Sequence, residues 1–379
     1  MLKVHKVKLN PDSEQKIYFA KACGVARVAY NWALSEWQNQ YEEGCKPSEA
    51  ALRRQLNAIK ADKFPWMAEV TKCAPQQAVK NLGTAYKNAF HRKKTGQKTG
   101  SEKNPYGFPR PKKKYVNDSF RADNGPPRKG ADAVLIDDKK IKLAKIGWIS
   151  MGESLRFEGQ IRSVTVSRQA DKWFAAVSVE TADISHARKD NKSCGIDLGI
   201  NSLVTLSDGS KACGAKSLKK LLKKKKRLQR ELCRRKKGSK NREKTRVKLA
   251  RLEAIISNIR NDAIHKITTD IVLNHSIIAM EDLNVKGMMK NHKLARHIAD
   301  QSFGEFRRQI TYKADWYGSK VIFVDRFFPS SQKCNVCGNL RKNIKLSDRI
   351  YRCSNPDCKH VEDRDVNAAK NIKNEALAA

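Results

Sequence analysis

Three acidic residues stand where an apolar run ends or a short turn opens: Asp197 in Gly195-Ile196-Asp197-Leu198-Gly199, Glu281 in Ile277-Ile278-Ala279-Met280-Glu281, and Asp365 in Asp363-Arg364-Asp365-Val366-Asn367-Ala368-Ala369. Any one of them alone reads as a turn former or a helix cap. Together they match the needs of phosphodiester hydrolysis by two divalent ions, magnesium or manganese. That chemistry requires oxygen ligands around metals about 4 Å apart, one ion activating water and the other stabilising the leaving oxyanion. Asp363 stands two residues before Asp365, and Asn367 is a candidate for orienting the site.

A second constellation is made of sulfur. Cys334-Asn335-Val336-Cys337 and Cys353-Ser354-Asn355-Pro356-Asp357-Cys358 are separated by 15 residues with the basic and apolar pattern of a small hairpin. Four thiolates at these spacings can enclose one tetrahedral zinc, whose binding substitutes for the core so short a module cannot bury. Two disulfides or free thiols are the alternatives, and four cysteines leave no open position for a catalytic zinc. Cys23, Cys45, Cys73, Cys194, Cys213 and Cys233 are scattered.

Composition names the partner class. The chain has 379 residues with 78 Lys and Arg against 39 Asp and Glu, a formal charge of +39, and such a surface attracts polyanions. No apolar run approaches the roughly 20 residues of a membrane-spanning helix, and Met1 to Asn10 has no signal-peptide core. The expectation is a cytoplasmic protein acting on nucleic acid, without a membrane partner. A hydrophobic fraction of 40% supports packed cores, and the length suggests two to three domains.

The elements that must carry these residues follow from periodicity. Residues 1–10 alternate as a strand, and Asn10-Pro11 reads as the start of a helix with Phe19, Cys23, Ala26, Tyr30, Ala33, Leu34, Trp37 and Tyr41 on one face, stopped by Gly44 and Pro47. A second helix is expected over Ser48 to Ala61. A third begins near Pro75 with Val79, Leu82, Ala85, Tyr86 and Phe90 inward, leaving Gln76, Gln77, Lys80 and Asn81 as candidate duplex contacts or an ordinary solvated face. Residues 93–130 are rich in Lys, Gly and Pro and read as a basic loop. Strands are expected in Ala133 to Leu143, Ser154 to Phe157, Ile161 to Val166 and Trp173 to Val179, forming with residues 1–10 a small barrel or sandwich into which the helices are inserted.

After a polar linker near Ser185 to Ser193, Ser193 to Leu198 and Leu203 to Leu206 read as an antiparallel pair. Between Lys216 and Lys248 there are 18 Lys or Arg against only Glu231 and Glu243, on two helices broken at Gly238-Ser239. That many like charges facing bulk water would repel one another, so a phosphate backbone along this hairpin is expected, with Lys223, Lys224, Arg227 and Arg230 as candidate contacts. The return helix leads into a strand over Ile277 to Met280. With Asp197 and Glu281 on neighbouring strands and Asp365 opening the last helix, the pattern is a ribonuclease H type of core.

The segments GIDLGINSLVTLSDG, AMEDLNV, SFGEFRRQITYKADWYG, FFPSSQKCNVCG and DRDVNAAKNI resemble the motifs of the TnpB (OrfB) family of bacterial insertion sequences, over residues 190 to 375. The resemblance is weaker in the first half, where Val28-Ala29-Tyr30-Asn31-Trp32-Ala33-Leu34 carries it. It implies a multidomain α/β plus all-β protein related to compact type V CRISPR effectors. The implied parts are a wedge β-barrel (residues 1–10 and 115–185), an inserted helical recognition lobe with a basic loop (11–114), a RuvC-like nuclease (186–330 and 360–379, with the basic hairpin at about 216–262) and a zinc ribbon (331–359). It further implies an RNA-guided DNA endonuclease with Asp197, Glu281 and Asp365 as catalytic ligands, Asp365 being preferred over its competitor Asp363 because it holds the family's motif position before Asn367-Ala368-Ala369. It also implies a guide RNA of the omega type, a target DNA chosen by pairing and a short adjacent motif, and a monomeric protein in the RNA complex. Some relatives have lost the acids, so the alternative is a nuclease-inactive, guided or unguided DNA-binding regulator.

Overall fold

The computed structural model describes residues 1–98, 101–124, 134–182, 192–345 and 347–378. Most of the linker expected near Ser185 to Ser193 and parts of the 93–130 loop lie outside them. The chain divides into two compact units, Met1–Asp183 and Ile184–Ala379. Among the described residues no helix is long and apolar enough to cross a membrane.

The first unit opens with β1 (Leu2–Asn10), followed by α1 (Ser13–Glu42), α2 (Glu49–Lys63), a short 3-10 helix (Pro65–Glu69) and α3 (Cys73–Lys94). Six strands follow: β2 (Ser119–Asp123), β3 (Val134–Asp137), β4 (Lys140–Leu143), β5 (Gly147–Met151), β6 (Gln160–Gln169) and β7 (Lys172–Glu180). They form one sheet with β1, in the order β2-β6-β7-β1-β5-β4-β3, paired antiparallel throughout. The Asn124 side chain joins its two ends, exchanging hydrogen bonds with the backbone of Val134 (3.0 and 3.2 Å) and donating to Ile161 O (3.2 Å). One hydrophobic core runs through sheet and helices, with Phe19 of α1 packed on Phe120 and Trp173.

Several sequence expectations change here. The cap of α1 is Asp12, in a capping box with Gln15, because β1 pairing continues through Asn10. The inward residues of β1 are Lys3, His5, Val7 and Leu9, while Leu2 and Val4 face out. Tyr41 is 63% exposed, and Phe90 is exposed rather than inward. Residues 154–157 form no strand; β5 lies just before them, and β2 lies inside the stretch read as a loop.

The second unit starts with β8 (Lys192–Asp197), β9 (Val204–Leu206) and β10 (Lys211–Ala212), followed by α4 (Ser217–Arg234) and α5 (Lys240–Asn274). Then come β11 (His275–Glu281), α6 (Val285–Met288), α7 (Ala295–Gln301), α8 (Phe303–Tyr317), β12 (Lys320–Val324), β13 (Ile350–Arg352), β14 (Val361–Asp363) and α9 (Arg364–Ala378). The main sheet runs β10-β9-β8-β11-β12, antiparallel as far as β8 and parallel from β8 to β12. Alternation sorts its two faces. Cys194, Ile196, Ile278 and Met280 pack with Ile264 and Ile271 of α5 and Phe303, Phe306 and Ile310 of α8. Ala279 packs the other way, with Ile372 and Ala376 of α9.

The basic helix α4 begins at Lys216, which is left-handed (φ 47°) and supplies no side-chain cap. Asp300 of α7 caps it from outside, accepting from Leu218 N (3.1 Å), Lys219 N (3.3 Å) and Ser217 Oγ (3.3 Å), and it also pairs with Arg260 of α5 at 3.2 Å. One buried acid thus fixes the start of the lysine-rich hairpin.

Candidate active site and metal centre

The site follows from the register of β8 and β11. Ala279 lies opposite Gly195 and Met280 opposite Ile196, so Asp197 and Glu281 end neighbouring parallel strands at their carboxyl ends, on the α9 face. Helix α9 crosses that face closely, because Gly195 has no side chain: a Cβ there would lie 2.0 Å from Ala369 O and 2.8 Å from Lys373 N. Asp365 is one turn before Ala369 on the same helical face, which carries it toward the strand ends. Gly195 therefore serves the close approach of a helix backbone.

The electrostatics record the convergence. Burial, then the negative charges of Glu281 and Asp365, push the Asp197 carboxyl up to about 7, with Arg364 opposing. Burial also raises Glu281, against a hydrogen bond from Ser330 Oγ to its Oε1. Asp365 accepts from Arg364 at 3.2 Å. Asp197 and Glu281, both held above their ordinary range, are groups whose charge a divalent cation would relieve, and oxygen donors suit magnesium or manganese. Asp363 is otherwise engaged: its Oδ1 accepts from Asp365 N (3.0 Å) and Val366 N (3.2 Å), and its Oδ2 takes Lys211 Nζ at 2.7 Å. It caps α9.

Cys334, Cys337, Cys353 and Cys358 have all four sulfurs within 4.8 Å of one another, the only such cluster of candidate ligands among the described residues. The Cys334–Cys358 and Cys337–Cys353 separations are 3.9 and 3.5 Å. A tetrahedron with zinc–sulfur bonds of about 2.3 Å has edges of about 3.8 Å, and both of these separations lie near that length. The four cysteines are unbridged. Each knuckle turns its own small hairpin. A bridge Lys333↔Leu340 flanks the first, and β13 pairs with β14 around the second, where the sequence suggested one hairpin between the two.

The ribbon is fastened to α9 by two asparagines four residues apart. Asn367, fully buried, donates to Lys333 O (2.8 Å) and accepts from Asn335 N (3.0 Å). Asn371 donates to Ser330 O (2.8 Å) and Lys333 O (2.6 Å). Sequence reasoning proposed Asn367 and missed Ser330 and Asn371. Paired asparagines among the alanines of a helix were the available signal; Ser330 gave none.

Among the candidate nucleic-acid contacts, Lys223, Lys224, Arg227 and Arg230 are exposed on α4 and form no ion pair among the described residues, whereas Lys225 pairs with Glu253 at 2.8 Å. On α3, Lys80 and Asn81 are exposed, Gln76 is half-buried, and Gln77 is bound to Asp123 of β2.

This fold has a counterpart in the Cas12f1 chain of a cryo-EM Cas12f1–sgRNA–target DNA complex. The two align over 98% of each chain with a TM-score of 0.63 at 16% identity, so they share a fold. Residues 176–301 match the family model "OrfB_IS605: Probable transposase", residues 303–372 "Cas12f1-like, TNB domain", and residues 1–46 "Helix-turn-helix domain", although β1 and one long helix occupy that last stretch. A Streptomyces pristinaespiralis protein named "Putative RNA-guided DNA endonuclease" is 34% identical over 99% of this chain and 89% of its own. InsQ of Escherichia coli K12, which bears the same designation, is 33% identical over 98% and 91%. The chain belongs to the OrfB (TnpB) family.

Proposed function

We propose that this protein is an RNA-guided DNA endonuclease of an insertion sequence, cleaving target DNA by divalent-metal-dependent hydrolysis at Asp197, Glu281 and Asp365. The observation that carries this reading is that Asp197 and Glu281 end the neighbouring strands β8 and β11 while Asp365 lies in the first turn of the helix crossing them, near enough that the two acids, after burial, help push the Asp197 carboxyl up to about 7. These residues would hold magnesium or manganese, which when bound supplies an activated water and neutralises the leaving oxyanion. The protein's own part is positional. Glu281 is held by Ser330, Asp365 is presented by a helix locked onto Gly195, and Arg364 tempers the charge beside them.

The finer organisation goes with this reading: a wedge-like barrel of residues 1–10 and 115–185, a recognition lobe of 11–114, a RuvC-like domain of 186–330 and 360–379, and a structural zinc in the ribbon of 331–359. A guide RNA lies along the exposed cations of α4 and supplies sequence specificity by pairing, and the protein acts as a monomer in the cytoplasm. The test is cleavage of a matching DNA by the protein with its copurified RNA in magnesium or manganese. Asp197→Ala should abolish cutting and leave RNA binding nearly intact, and equal cutting by the variant would refute the assignment. Target occupancy by the intact protein without cleavage under either ion would favour a DNA-binding regulator.

A further inference from the structure

The segment from Ser330 to Asn335 does more than lead into the first knuckle. Its Ser330 side chain is buried and donates to Glu281 Oε1, while its backbone is gripped at Ser330 O and Lys333 O by Asn371 and at Lys333 O and Asn335 N by Asn367. Asn367 and Asn371 lie about 200–240° around α9 from Asp365, so the helix shows its carboxylate to the sheet and its asparagines to this strap. Two acids far apart in sequence are therefore joined by a short covalent and hydrogen-bonded path: Glu281 to Ser330, Ser330 to Asn371, and along α9 to Asp365. A carboxylate on a free strand end can rotate. One held by a buried hydroxyl, itself pinned to the helix bearing the next ligand, has its orientation set by that helix.

We propose that Ser330 is a positioning residue for divalent-ion binding, fixing the Glu281 carboxylate relative to Asp365 through the Asn371-held strap. This rests on the reading of the three acids as a metal site. Ser330→Ala is a clean probe, because it deletes the hydroxyl and keeps the carbonyl that Asn371 uses. Manganese binding to the protein–RNA complex, followed by loss of the free-ion electron paramagnetic resonance signal, should weaken about tenfold or more in Ser330→Ala, with zinc content and melting temperature unchanged. Asp197→Ala serves as the reference for site-specific binding. If Ser330→Ala binds manganese as the wild type does while Asp197→Ala loses it, the positioning role is wrong and the site stands. If Asp197→Ala also binds unchanged, the metal-site reading itself fails. A Ser330→Ala protein that loses zinc or unfolds along with its manganese binding would make Ser330 a structural residue of the ribbon and overturn the proposal.

Discussion

Gly195 of β8 and Ala369 of α9 meet backbone to backbone: a Cβ on Gly195 would fall 2.0 Å from the Ala369 carbonyl oxygen. No flexible side chain is available to yield, so Gly195→Ala must push the helix outward and carry Asp365 with it. The expected result is a loss of about 1–3 kcal/mol in denaturant unfolding together with a large loss of DNA cutting. A variant of full stability and full activity would contradict this account of the helix approach.

The metal-free protein should lose stability as pH rises across the Asp197 transition. Its folded value, about 7, lies above the ordinary 3.8, so the folded state holds a proton that the unfolded chain releases. That contribution is full below about pH 4 and is lost as pH rises through about 7. Urea midpoints of chelator-treated protein at about pH 5 and about pH 8 should differ less in Asp197→Asn than in the wild type, and magnesium should restore stability at the higher pH. Identical pH slopes for the two proteins would count against it.

Metal analysis should find about one zinc per chain, and Cys334→Ser should lose it. Because Asn367 grips the backbone on both sides of Cys334, zinc loss should also loosen α9 and reduce cutting with all three acids intact. A full zinc equivalent retained by Cys334→Ser would remove the site.

Replacing Lys223, Lys224, Arg227 and Arg230 together by Ala should weaken RNA binding in a salt-dependent way. If all four touch phosphates, the slope of log affinity against log salt falls by about 3. An unchanged slope would return them to the status of a solvated face.

What the sequence revealed, and what it hid, follows from how far each signal reaches. Strand alternation and the positions of Asp197, Glu281 and Asp365 are local, and these residues indeed fall at the ends of β8 and β11 and the start of α9. The strand β2 escaped notice because Phe120 and Ala122 are its only buried apolar residues and they sit in a Lys, Gly and Pro background; in β5 the outward Trp148 obscured the period. The trans cap of α4 by Asp300 and the Ser330 bond to Glu281 depend on partners distant in sequence, which no periodicity encodes.

Placing the third acid on α9 also has a bearing on synthesis. As the chain leaves the ribosome, the cationic α4 and the strands bearing Asp197 and Glu281 emerge first, and Asp365 follows on the order of ten seconds after Glu281 at ordinary elongation rates. A nascent chain thus displays these cations before all three acids are made. On the reading proposed above, it can bind its guide while still unable to cut, and the helix that completes the hydrolytic centre also closes the fold around it.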